Sequence, residues 1–343
     1  LSSLPLDDRA TAHRPEEHVP RSGPAQEVRW PEGATHLVVA RVGVQTDDSA
    51  AGVKAIARVL ELAAGESGPA LVERVSDDDS EMAVCYWSDP EAHRAWWRSE
   101  PVRAWWDSLP VDGPLGHWHE TSVTPLDRFE TIYSAEFSGG PARLAATGPT
   151  NLHDYDGAAL DRMPAAAHRD LAGERAEEPV TDLPPGESPR GRRVRLAEPS
   201  PEGLCWIRTA QEWSTAPDDQ LASYRDGVEP AYRTAVAYLQ DNLHESGCLS
   251  TRLVNNLDAN GARAAGSETI AWWRGIGDLL RWAHHHQTHQ DILKAFWEEI
   301  ALVYGPGMKV RLWHEVHVLP EGGLTAEYVN CHPGTGLLQT WPG

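Results

Sequence analysis

The sequence predicts an α+β fold made of two similar halves, on three observations. Segments that alternate apolar and polar residues, the signature of strands, recur in order with segments of helical spacing. The string Trp118-His119-Glu120, with Val123 and Pro125, returns at identical spacing as Trp313-His314-Glu315 with Val318 and Pro320. Between the two copies lies a stretch of different composition, residues 140–203, loaded with Gly, Pro, Arg and Glu. At 343 residues the chain exceeds the usual single-domain range and suits one fused double module.

The elements follow in order. After a polar tail (1–30), residues 36–45 place Val38, Ala40, Val42 and Val44 on one face of a half-buried strand. Residues 47–64 carry helical spacing at Val53, Ile56, Val59 and Leu60. A strand at 81–87 precedes Asp89-Pro90-Glu91, where Asp89 suits a helix N-cap and Pro90 the first helical position. That helical region bears Trp96-Trp97 and Trp105-Trp106, and strands at 116–123 and 129–137 are expected to pair after it. In the second half, strands are expected at 204–213, 248–258, 268–273 and 309–319, with helices at 230–243 and 277–303. Tyr86-Trp87 before a Trp-bearing helix is echoed by Trp272-Trp273 before the helix holding Trp282. The first half thus spans 31–139, the connection 140–203 and the second half 204–343, with the sheets packed together or closed into a barrel.

Composition narrows the function. Asp and Glu outnumber Lys and Arg by 51 to 30, a net charge of −21, and the acidic residues are scattered. Such a surface repels phosphate backbones and anionic lipid, so neither nucleic acid nor membrane is an expected partner, and a neutral organic substrate fits better. Cys85, Cys205, Cys248 and Cys331 show no zinc or redox spacing and read as reduced and buried. The first 25 residues lack the apolar core of a signal peptide and no apolar run is long enough to span a bilayer, which points to the cytoplasm. Fifteen Trp against three Phe assigns much of the core to tryptophan.

Histidines cluster in the second half, at 284, 285, 286 and 289 on one long expected helix. His289 falls on its apolar stripe with Leu279, Trp282, Ile292, Leu293 and Phe296, whereas His284 and His285 turn toward its edge. A buried imidazole there is either a hydrogen-bonded core residue or a ligand. On the last strand, His314 shares a face with Val310, Leu312, Val316 and Val318, an apolar setting that favours a neutral ring able to exchange protons. Thr209 alternates with Cys205 and Ile207 and faces inward. The pair His285 and His289 has His-x-x-x-His spacing but lacks the glutamate that a zinc protease needs beside its first His. A divalent-metal enzyme using these histidines remains an alternative.

The segment Val310-Arg311-Leu312-Trp313-His314-Glu315-Val316, followed by Glu327-Tyr328-Val329-Asn330-Cys331-His332-Pro333-Gly334-Thr335-Gly336, resembles the C-terminal signature of the haem-containing aldoxime dehydratases, the aliphatic aldoxime and phenylacetaldoxime dehydratases. The similarity extends to Phe129-Glu130-Thr131-Ile132-Tyr133, Asp161-Arg162-Met163-Pro164, Ile207-Arg208-Thr209 with Trp213, and Thr288-His289. The resemblance implies a duplicated ferredoxin-like α+β barrel, haem b with ferrous iron in the active state, a homodimer, and dehydration of an aldoxime to a nitrile. Carried over by position, it makes His289 the proximal haem-iron ligand and His314 the distal acid–base residue. Arg162 and Glu130 become polar pocket residues, and Thr209 stands where the family has serine. A non-enzymatic haem-binding or sensor protein on the same fold is the other alternative.

Overall fold

The computed structural model describes residues 13–46, 48–176, 181–184 and 187–340. The first twelve residues of the expected tail lie outside this range. Among the described residues the strands are β1 (Ala25–Val28), β2 (His36–Gln45), β3 (Leu71–Ser76), β4 (Ser80–Trp87), β5 (Gly116–Pro125), β6 (Phe129–Tyr133) and β7 (Thr147–Thr150). They continue as β8 (Arg193–Arg195), β9 (Cys205–Glu212), β10 (Cys248–Leu257), β11 (Arg263–Trp273), β12 (Arg311–Val318) and β13 (Leu324–Val329). Helices are α1 (Ser49–Ala63), α2 (Pro90–Arg98), α3 (Glu100–Asp107), α4 (Ala158–Asp161), α5 (Asp218–Ser223), α6 (Glu229–Asp241), α7 (Leu243–Ser246), α8 (Ile276–His285), α9 (Gln287–Phe296) and α10 (Leu302–Tyr304).

Local chemistry starts several of these where expected. The Asp48 carboxylate accepts from Ala50 N and Ala51 N at the head of α1, and Asp89 accepts from Glu91 N with Pro90 following it. Val53, assigned to the buried stripe of α1, is instead exposed. The expected helix at 230–243 begins earlier, at Asp218, and passes through a π turn at Tyr224–Val228. The single long helix expected at 277–303 is two helices. His286 adopts an extended backbone and caps α9, its ring nitrogen accepting from Thr288 N, a break between α8 and α9 that helical spacing alone does not encode.

All the strands belong to one antiparallel sheet in the order β7-β1-β6-β12-β9-β11-β10-β3-β4-β2-β5-β13-β8. Two quartets lie within it: β3-β4-β2-β5 in the first half and β12-β9-β11-β10 in the second. In each, the first strand of the quartet sits between its third and fourth, and the quartets join where Asn255 pairs with Ser76. The halves then exchange a strand. β6 leaves the first half to pair with β12, and β13 leaves the second to pair with β5. The expected pairing of 129–137 with the strand before it is therefore corrected: the strand ends at Tyr133 and lies between β12 and β1. The barrel expectation is corrected as well, because among the described residues the sheet is open, with β7 and β8 at its edges.

One face of each quartet is covered by helices. In the first half Val38, Ala40, Val42 and Val44 pack with Ile56, Val59, Trp96 and Val102. In the second, Cys205, Ala271, Trp273, Val316 and Val318 pack with Leu239, Ile276 and Leu279. The opposite faces meet in a shared core of Leu37, Val39, Tyr86, Trp118, Trp206, Ile270 and Trp272. Charged groups are buried beside this core. Arg208 donates to Glu268 at 2.5 Å and to Glu73 at 2.6 Å, and Arg41 lies over the rings of Trp206 and Trp272. The connection is more than a linker: Leu160, Met163, Ala165 and Leu171 join the second-half core, and Val194 and Leu196 the shared one. No described helix is long and apolar enough to cross a membrane.

Candidate active site

The helix-covered face of the second quartet carries a polar band between two apolar clusters. Along β9, Cys205 and Ile207 belong to the cluster under α8, and Trp213 beyond the strand's end belongs to the cluster under the π turns. Along β12, Val316 and Val318 lie in the first cluster, and Leu312 with Val310 in the second. At the row between them, His314, Thr209 and Thr269 sit directly opposite one another on β12, β9 and β11, and directly paired residues of antiparallel strands point to the same side. Thr269 was not singled out from sequence. Its hydroxyl lies 2.5 Å from that of Tyr232 on α6, which places a further hydroxyl pair beside Thr209.

His314 is not isolated among aliphatic groups, as its strand pattern suggested. Its Nε2 is 2.8 Å from Glu130 Oε1, and its side chain keeps 28% exposure, open enough to meet a substrate. Glu130 arrives on the exchanged strand β6, where it pairs with Val316, two residues from His314. Its other oxygen, Oε2, accepts from Arg162 Nε at 2.7 Å, while Arg162 Nη1 donates to the Leu152 carbonyl. Burial alone would raise the Glu130 pKa, but Arg162 and His314 outweigh it and bring it down to about 2. The carboxylate is therefore ionised at any working pH. The structure thus brings Glu130, Arg162 and His314 into one hydrogen-bonded group, with Thr209 on the neighbouring strand.

His289 stands on the first turn of α9, its ring edge-on to Trp282 at 4.8 Å between centroids. Burial lowers its pKa to about 4, so the ring is neutral, the form that binds iron. Its Nδ1 is buried without a hydrogen-bond partner. A neutral imidazole with an orphaned nitrogen, near enough to His314 for the charges of the two rings to interact, fits the donor chemistry of a haem ligand.

The other histidines separate from this group. His119, the first-half counterpart of His314, is buried against Trp97 and Trp106 at 4.4 and 4.9 Å, and desolvation lowers its pKa to about 3. Tryptophan closes the site in that half. His284 pairs with Asp156 at 3.2 Å, His285 is exposed, and His286 stacks on Tyr238 while capping α9. Among the described residues no three His, Cys, Asp or Glu side chains converge as a metal-holding group. A groove of about 420 Å³ along α8, lined by Asp156, Leu280, Arg281, His284 and His285, contains none of the five predicted site residues. The segment 330–336 is structural: Asn330 donates to the carbonyls of Gly113 and Leu115, and Gln45 accepts from His332 N and Thr335. All four cysteines are buried and free.

Residues 40–337 match the family model described as haem-containing dehydratase. The phenylacetaldoxime dehydratase of Bacillus sp. (strain OxB-1) is 32% identical over 338 residues, covering 94% of this chain and 93% of that protein. The aliphatic aldoxime dehydratase of Pseudomonas chlororaphis is 31% identical, covering 95% of this chain and 93% of its own length. Among solved structures, an aldoxime dehydratase in complex with butyraldoxime superposes with a TM-score of 0.86 at 28% identity, covering 96% of this chain and 93% of that one.

Proposed function

The chain belongs to the haem-containing dehydratase family, and from that premise we propose that this lyase dehydrates an aldoxime to a nitrile and water at the polar band of its second half, with His289 holding the haem. The observation that carries the mechanism is the Glu130 carboxylate shared between His314 and Arg162. Held by His289, ferrous haem b would supply an electron-rich metal to polarise the oxime group.

The protein's own residues manage the protons. Loss of water requires a proton on the departing hydroxyl and removal of the proton on carbon. With Nε2 tied to Glu130, His314 presents Nδ1 to the substrate, delivers a proton to the hydroxyl oxygen, and then takes the carbon's proton on the same nitrogen. One residue serves both steps and ends as it began. Glu130, held ionised by Arg162, fixes the orientation of the ring, in the way a buried carboxylate orients a catalytic histidine. Arg162 and Thr209 hold the departing oxygen by hydrogen bonds, which count for more in a site that excludes water. The threonine methyl narrows the pocket relative to the family's serine and restricts rotation.

The same strand order in both quartets supports reading 31–139 and 204–343 as duplicated ferredoxin-like halves. A homodimer is part of this proposal through the family resemblance, and sedimentation tests it. A cytoplasmic location goes with it, supported by the four free buried cysteines. The mechanism is tested with His314→Ala. Haem content should stay unchanged, and nitrile formation under reducing conditions should fall by roughly 10²- to 10⁴-fold. Undiminished turnover would move the acid–base role to another residue.

A further inference from the structure

We propose that the N-terminal strap, residues 13–24, positions Arg162 for catalysis by gripping the segment that carries it, with His13 as the positioning residue; this rests on the role given to Arg162 above. The sequence pattern reads this stretch as a polar tail, but in the structure it is docked along residues 153–161. His13 N lies 3.2 and 3.3 Å from the two oxygens of Asp161, and His13 Nδ1 lies 2.7 Å from Oδ1. Tyr155 OH donates to the same carboxylate at 2.9 Å. Further along the strap, His18 Nε2 bonds the His153 carbonyl at 2.8 Å, its ring meets Tyr155 edge-on, and Arg21 N donates to Asp154.

These contacts flank both anchors of Arg162. Asp161 ends α4, and Arg162 is the next residue, the cap of that helix. Leu152, whose carbonyl takes Arg162 Nη1, directly precedes His153. The Asp161 side chain is only 1% exposed, and a carboxylate buried to that degree stays in place only with its full set of donors. His13 supplies a large share of them from outside the segment. The seat is cut for the strap: a Cβ on Gly157 would lie 2.0 Å from His13 Cβ, so only glycine permits the approach. Beyond the strap the chain enters β1, where Val28 N donates to Thr131 next to Glu130. The strap and β1 thereby hold the two ends of the Arg162–Glu130 pair.

The test uses the haem-loaded full chain with His13→Ala, His13→Asn, Gly157→Ala, Arg162→Gln and the double variant His13→Ala/Arg162→Gln. Losing a hydrogen bond to a charged group predicts a drop in kcat/KM of roughly tenfold for His13→Ala, with the Soret band unchanged. Asparagine places a donor near the Nδ1 position and should restore most of the loss, and Gly157→Ala should reproduce it by lifting the strap. In the Arg162→Gln background, His13→Ala should cost nothing more, because both act through one group. Native kinetics for His13→Ala and Gly157→Ala alongside a crippled Arg162→Gln would overturn the strap alone. An added loss in the double variant would do the same. Full activity of Arg162→Gln would remove the role of Arg162 and the strap with it.

Discussion

At the scale of the residue, the candidate site depends on what each imidazole touches. His289, His314 and His119 all fall on helix-facing positions, yet their neighbours give them different fates. His119 is enclosed by indoles, His314 is tied to a carboxylate, and His289 keeps a buried nitrogen without a partner. His289→Ala is expected to remove stable haem binding, and a purified variant with a full Soret band and unchanged ligation would reject the assignment. Thr209 lies between His314 and Thr269 on adjacent strands. Thr209→Ser should keep activity, while Thr209→Ala or Thr209→Val should lower it, by about tenfold for one hydrogen bond to a reacting oxygen. Equal rates for all three would exclude the hydroxyl from the reaction. The residue types were legible in the sequence, but the Glu130–His314 contact was not, because 184 residues separate the partners.

Elements show where local patterns suffice and where they fail. β2 was readable to the residue because alternate side chains enter a helix-covered core. β3 and β13 were not read as strands. Their Glu73 and Glu327 look like solvent-facing charges, but Glu73 pairs with Arg208 and Glu327 with Arg193. The exchange of β6 and β13 between halves is likewise invisible to periodicity, since either pairing buries the same face. One backbone position is dictated by an element packed across from it. Gly43 on β2 pairs with Trp118 on β5, and a Cβ there would come within 2.2 Å of the buried indole. Gly43→Ala should cost about 1–3 kcal/mol through overpacking, seen as a lower melting temperature. An unchanged melting temperature would show that Trp118 has room to withdraw.

The whole molecule buries several histidines that would have to charge in acid. Desolvation lowers His93 and His117 to about 4 and His119 to about 3, all in the first half. Their folded pKa values lie below the unfolded value, so the unfolded chain takes up protons first as pH falls. The stability they contribute is complete above about pH 6.5 and is lost as pH drops toward 4. The unfolding free energy from urea titrations should therefore fall between pH 7 and pH 5, by on the order of 2 kcal/mol per histidine, and His119→Leu should flatten the slope. A flat profile in the wild type would mean these rings have other partners. Glu130 adds nothing in that window, because its depressed pKa matters only below about 4.5.

By itself, the sequence determined the α+β class, the repeat of Trp-His-Glu, the helix cap at Asp89 and, through resemblance, the haem chemistry and the residues to test. These are properties of short windows, where spacing and side-chain type are enough. Only the tertiary structure decided that one open sheet replaces a barrel, that the long helix breaks at His286, and that β6 crosses to the other half to bring Glu130 against His314. It also decided that the polar N-terminal stretch is docked on the Arg162 segment. Each of these depends on which distant surfaces meet, and burial and partnered charge settle that only when the whole chain has folded.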